Sequence, residues 1–573
     1  MNLAYFVVLV SALIFVHEFG HFIVAKFFNV KVLTFSIGFG PKILRIRGKE
    51  TEYCLALLPF GGFVRMLEES SGGGDILPEE RARTFEAQAY WKRVLIVLAG
   101  PAMNVLFPVV LYTTVFLEDR TFHAPLVGSI EPGKPADGKL MPGDAVIAID
   151  GTEVTSFPQI QAYVADHPGA PLKFLVDRDG KRTEVWVTPA NEVRRVEPAE
   201  LDLYEHEGKV GISPKFGAAV VGLPRTDAVA HRAGLRTFDR VISINGRKVD
   251  RYVDLINLLS QNRGDAVVLT VLRPVPVSQA LGGLCDFSLV EPVMIQLTPL
   301  PREADARLDD FAARERDVLA RVGAESSEMY VAFVPEGSSE WKAGLRVGDR
   351  VTSLDGVQQR RWRTMEASLK GEPTQMHELA WTRAGDLYSG RFQMRTESWV
   401  DDAGKRHERY VFRTMHWLPD APDSLVPNPH PFLYAVKRGV TETANVVRYI
   451  VVGFWRMAQG RLSLSSMSGP IRMYELAGEA GARGTTEFLW AMAVISANLG
   501  LVNLLPVPVL DGGHLLLFSI EVVLRRRLSL GVRKGVSLFG MAILVILMLI
   551  AFKNDMAPRW DDLVLAVKEL FSS

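Results

Sequence analysis

His17, Glu18 and His21 stand in the stretch HEFGH, inside an otherwise apolar N-terminal run. On a helix, residues i and i+4 share a face, so both imidazoles can reach a single Zn2+. Glu18 then lies beside a water held by the metal, whose pKa falls toward about 7. The carboxylate can take that proton and later deliver it to a leaving amine. An ionisable residue within a membrane span is costly, so it calls for a partner or a function. Two histidines do not complete the site, because catalytic zinc usually has three protein ligands and one open position.

The missing ligand should be a carboxylate at similar depth in another span. The stretch NLGLVNLLPVPVLDGGH, residues 498–514, supplies Asp511. Asn498, Asn503, Pro506 and Pro508 precede it. Proline removes backbone donors and frees carbonyls, which lipid tolerates only where protein or water covers the break. Helix capping is the plainer reading of Asp511, but a broken, polar-lined helix end opposite His17 and His21 favours a ligand.

These residues must be carried by membrane spans. Of 573 residues, 65 are basic and 65 acidic, so no charge excess points to nucleic acid. Four apolar blocks are long enough to cross about 30 Å of hydrocarbon: Leu3 to Ala25, Val94 to Phe116, Phe488 to Leu510 and Gly535 to Phe552. Lys26 follows the first block rather than preceding it, which reads as a retained helix rather than a secretory signal. Basic residues flank the first two spans and separate the last two. The positive-inside rule then places 26–93 and 511–534 in the cytoplasm and 117–487 outside. Residues 432–458 read as an amphipathic helix lying against the membrane, because Arg448 and Arg456 interrupt the run. The two cysteines, Cys54 and Cys285, fall on opposite sides and imply no disulfide.

The outer region repeats itself. GDAVIAIDG (143–151), FDRVISING (238–246) and GDRVTSLDG (348–356) share an aspartate, an alternating apolar strand and a closing Asp-Gly or Asn-Gly turn. Their spacing suits separate domains, and each resembles a PDZ domain, over 120–195, 208–300 and, least closely, 326–400. Such domains bind an extended peptide by adding it to a sheet edge; the blander alternative is a spacer or steric shield. Residues 42–58 read as two short strands around Gly48, closed by a break at Gly61-Gly62. SSGGGD (70–75) reads as a flexible linker.

HEFGH, GFGP (38–41), GGFVRM (61–66), AGPAMN (99–104), SGPI (468–471) and NLLPVPVLDGGH together resemble the site-2 protease family of intramembrane zinc metalloproteases. The nearest group is the bacterial regulator-of-sigma-E proteases, whose two tandem PDZ domains lie between the second and third spans. A third copy here is a departure from that pattern, and it bears on substrate choice rather than on chemistry. The implied fold is an α-helical polytopic membrane protein with about four spans, a re-entrant β-hairpin at 42–58 and inserted α+β PDZ-like domains. Its parts are an N-terminal catalytic portion (1–118), the three modules, a membrane-associated helix (428–460) and a C-terminal catalytic portion (486–573).

The resemblance implies His17, His21 and Asp511 as ligands of Zn2+ and Glu18 as general base. It further implies that Asn498, Asn503, Pro506 and Pro508 shape the substrate cleft. Asn104 is expected to pack the second span, and His514 to be a loop histidine without a role. The implied activity is cleavage of single-pass membrane proteins, such as an anti-sigma factor or remnant signal peptides. An upstream site-1-type protease acts first, and the setting is the bacterial inner membrane with the PDZ domains in the periplasm. Two rivals remain. A catalytically silent zinc-containing PDZ scaffold would have no use for Glu18, and a zinc transporter would be expected to show repeated spans.

Overall fold

The computed structural model describes residues 2–67, 78–196, 201–276, 285–302, 308–400, 406–463, 468–526 and 528–556. The linker expected at 70–75 lies outside them, as does the side chain of Cys285. The chain forms two compact units, one of residues 1–120, 195–204 and 428–573, the other of residues 121–194 and 205–427.

The first unit is helical: α1 (Asn2–Phe27), α2 (Tyr90–Phe116), α3 (Pro431–Ala458), α4 (Pro470–Arg483), α5 (Thr485–Asn503), α6 (Asp511–Leu524) and α7 (Leu530–Met556). Among the described residues, α1, α2, α5 and α7 are the four helices long and apolar enough to cross a membrane. The charged residues of α3 keep it out of that set. It packs along α2, where Gly439 brings the two backbones together at Val109 and Thr113. Residues 201–204, which the sequence leaves between two modules, belong to this unit, with Leu201 facing Gly453 of α3. Leu9, Leu13, Leu111, Tyr112, Ala477, Phe488, Met492 and Ala493 join α1, α2, α4 and α5 in one core.

The third span differs from its expected extent of Phe488 to Leu510. Its helix stops at Asn503, and Asp511 opens the next helix rather than closing this one. The reason lies in Pro506 and Pro508, which cannot donate to a continuing helix.

Between α1 and α2 the chain forms two long strands, β1 (Val32–Arg47) and β2 (Glu52–Met66). Both bend, so that residues 32–37 pair with 62–66 on one side and with 52–55 on the other, while 42–47 pair with 52–56. Two strands thus make four rows, in the order 62–66, 32–37, 52–56, 42–47. The expected break at Gly61-Gly62 is a bend within β2. Gly38, Gly40 and Gly61 take positive φ there, and a Cβ on Gly61 would lie within 1.8 Å of the Phe39 ring. Ile43, Leu44, Ile46 and Leu57 are exposed on this sheet.

The second unit contains three four-stranded antiparallel sheets of identical strand order, 2-1-3-4. Their long central strands are Ala145–Ile149 with Leu172–Arg178, Arg240–Ile244 with Val267–Pro276, and Arg350–Leu354 with Met376–Arg383. Helices Phe157–Ala165, Tyr252–Gln261 and Trp362–Gly371 lie in the matching positions of the three sequences. Each first strand ends in a turn with both residues at positive φ: Asp150-Gly151, Asn245-Gly246 and Asp355-Gly356.

The aspartate shared by the three repeats has the same role in each. Asp144, Asp239 and Asp349 are fully buried and paired in a fork with Arg178, Arg273 and Arg383. Each carboxylate also accepts a backbone N–H three residues upstream, from Met141, Arg236 and Arg346. The guanidinium closes the clamp by donating to the carbonyls of Lys139, Gly234 and Gly344. This clamp fastens the loop before the first strand to the end of the third. Removing one partner of a buried pair costs about 3–5 kcal/mol. Asp239→Ala is therefore expected to raise amide hydrogen exchange in peptides covering 238–245 and 267–276. Exchange around Asp144, Asp349 and the membrane helices should stay unchanged.

Candidate metal centre

His17 and His21 are one turn apart on α1, with side chains largely buried. Nε2 of His17 lies 3.3 Å from Nε2 of His21. Asp511 Oδ2 lies 3.1 Å from the first and 3.5 Å from the second. No other group of three or more His, Cys, Asp or Glu side chains among the described residues is as suited to hold a metal ion. His21 Nδ1 donates to the carbonyl of Ile96 at 2.8 Å, which leaves its Nε2 with a free lone pair in the neutral ring. Asp511 Oδ2 is buried without a hydrogen-bond donor. A carboxylate oxygen and two imidazole nitrogens thus face one another, and this is a donor set that zinc takes. The residues fit the metal.

The glycines around the site explain how helices come this close. A Cβ on Gly100 would lie 2.3 Å from His21 Nε2 and 2.9 Å from His17 Cε1, so α2 can supply only a bare backbone there. A Cβ on Gly20 would meet the Ala99 carbonyl at 2.4 Å, locking the same two helices one turn further along. The AGP of α2 is thus the floor of the site. On the opposite side, Gly512 and Gly513 let the first turn of α6 rest on the carbonyls of Leu504, Leu505 and Val507. That contact sets Asp511 at a helix N-terminus, where a carboxylate is favoured. Glu18 stands beside these three side chains, against the outermost row of the sheet. Its Cγ lies 3.1 Å from where a Cβ on Gly62 would sit.

The other expected residues fall in two groups. Asn503 ends α5, and Pro506 and Pro508 form the turn that leads to Asp511. Asn498 is exposed on α5, turned away from Ser496 and Gly500, which pack on α2. His514, expected in a loop, lies instead in the first turn of α6, because that helix starts three residues earlier. Asn104, expected to pack the second span, lies in the middle of α2. It is fully buried, and its side-chain amide lies 3.4 Å from His17 Nδ1. AGPAMN held the signal, since an asparagine four residues after Gly100 must share its helix face.

Comparison with known proteins follows the same residues. The model of peptidase family M50 matches residues 5–547. The chain belongs to peptidase family M50. Among its relatives are Protease RseP of Yersinia pestis, 28% identical, and the regulator of sigma-E protease RseP of Escherichia coli, 25% identical; each alignment covers 97% of this chain and 98% of the relative. A relative from Vibrio cholerae, whose name places it among zinc metalloproteases, is 25% identical over the same shares. This member of M50 is a site-2-type zinc metalloprotease with four candidate spanning helices.

Gly100→Ala should insert and fold yet hold zinc at least about tenfold more weakly, as expected when a ligand is displaced. Metal content per chain after graded chelation measures this.

Proposed function

We propose that His17, His21 and Asp511 hold the zinc of this protease and that Glu18 is its general base. The observation that carries the reading is the convergence of these four side chains from two ends of the sequence. Zinc held there would polarise a scissile carbonyl and a water molecule. Glu18 takes the proton from that water as its oxygen bonds to the carbonyl carbon. It then gives the proton to the amide nitrogen as the C–N bond breaks.

A membrane-spanning substrate helix hides its peptide bonds, so it must be unwound before hydrolysis. Row 62–66 is an outer row of the β1–β2 sheet and lies against Glu18. A segment paired to it in extended form would pass the carboxylate, by the same logic as strand addition in peptide recognition. The exposed apolar side chains of the sheet suit it to lipid, as a re-entrant element. Asn503, Pro506 and Pro508, with Asn498 further along α5, would line the path on the other side.

The three repeated modules are read as PDZ-like domains, at 120–195, 208–300 and 326–400, with α3 as an amphipathic helix on the membrane. In this reading they face the periplasm of a bacterial inner membrane and admit substrates already shortened by a site-1-type protease. The names of the RseP relatives make an anti-sigma factor the first substrate to try.

A tagged single-pass protein, truncated outside the membrane, should release a cytoplasmic fragment with the wild-type chain. With Glu18→Gln, release should fall by about 10^2–10^4-fold while zinc content is kept. Equal cleavage by both would remove Glu18 from the reaction.

A further inference from the structure

We infer that Asn104 is a positioning residue of the metal centre: its amide oxygen accepts a hydrogen bond from Nδ1–H of His17 and thereby points the Nε2 lone pair at the metal. The inference rests on His17 being a zinc ligand.

Three observations lead to it. The side chain is fully buried in the middle of α2, where a polar group needs a partner. Its nearest partner is His17 Nδ1, at 3.4 Å, while its Oδ1 meets no donor. The two ends of an amide exchange by a half-turn of the side chain, so the oxygen can occupy the place beside Nδ1. In that orientation the buried acceptor gains its donor and His17 becomes the Nδ1–H tautomer. His21 is held in the same tautomer by the Ile96 carbonyl. Both imidazoles then present Nε2 to Asp511, as the convergence requires. Outer hydrogen bonds of this kind fix ring orientation in metal sites.

Asn104 is itself held in place. Its backbone carbonyl accepts from Ser496 Oγ at 2.8 Å, and a Cβ on Gly500 would come within 3.1 Å of Asn104 Cβ. Helix α5, which leads to Asp511 through the proline turn, therefore fixes the residue that orients His17. One helix thus governs two of the three ligands.

The test compares Asn104→Leu, which removes the acceptor, with Asn104→Asp, which keeps an oxygen in its place. Full-length protein in detergent is loaded with Zn2+ and titrated with chelator, then loaded with Co2+ for its visible spectrum. His17→Ala serves as the reference for a lost ligand. Asn104→Leu should release zinc about 10–100-fold more readily and alter the Co2+ bands, with Asn104→Asp restoring both. Its thermal unfolding without metal should match that of the metal-free wild type. A chelator midpoint and Co2+ spectrum like wild type in Asn104→Leu, beside a clear loss in His17→Ala, would overturn the inference. So would weakened binding that Asn104→Asp does not restore. No loss in His17→Ala would instead overturn the ligand assignment itself. Should Asn104→Leu not fold, Asn104→Ala replaces it in the same comparison.

Discussion

Two imidazoles and a carboxylate meet within 3.1–3.5 Å, between helices whose surroundings are apolar. That convergence is the constraint on which the membrane unit is built. A carboxylate and two imidazoles are costly to take out of water, and the cost is offset only if they bind something together. Much of the local sequence follows from it. Gly20 lets α1 rest on the backbone of α2, Gly100 leaves room for both imidazoles, and Gly512 and Gly513 seat α6 on the proline turn. A methyl group on Gly100 would strike both imidazoles, and one on any of the other three would strike the backbone of a neighbouring segment.

The same helices must also leave a way in for a chain to be cut. A straight continuation of α5 would have carried Asp511 past the site as part of a uniform span. Pro506 and Pro508 stop the helix at Asn503, and the freed turn leads to Asp511. On the other side of Glu18 stands a sheet rather than a helix. Its outer row leaves strand-like backbone close to that carboxylate, which a wall of helices could not do. A protease for buried helices needs both: ligands fixed by close helix packing, and irregular backbone where the substrate is held.

The second unit solves a different problem. Its three sheets have separate cores, each closed by the same buried aspartate–arginine clamp. A repeated clamp lets each module close the loop before its first strand without drawing on its neighbours. The rest of each sequence is then free to diverge, as the third copy has done.

HEFGH, LDGG and the four apolar blocks determined the donor set and the membrane character from sequence alone. They could do so because helical spacing and the penalty for charge in lipid are local rules. The three repeats were legible for a similar reason, since strand alternation and Asx-Gly turns are read within nine residues. The tertiary structure decided what depends on residues distant in the chain. The four-row sheet arises from two bent strands whose register no local pattern specifies, so Gly61-Gly62 read as a break rather than a bend. The place of 201–204 in the membrane unit depends on a contact with Gly453, some 250 residues away. Asn104 read as packing because its partner, His17, lies on another helix. Only when Gly20 lets α1 rest on the Ala99 backbone of α2 does that amide come within reach of the imidazole.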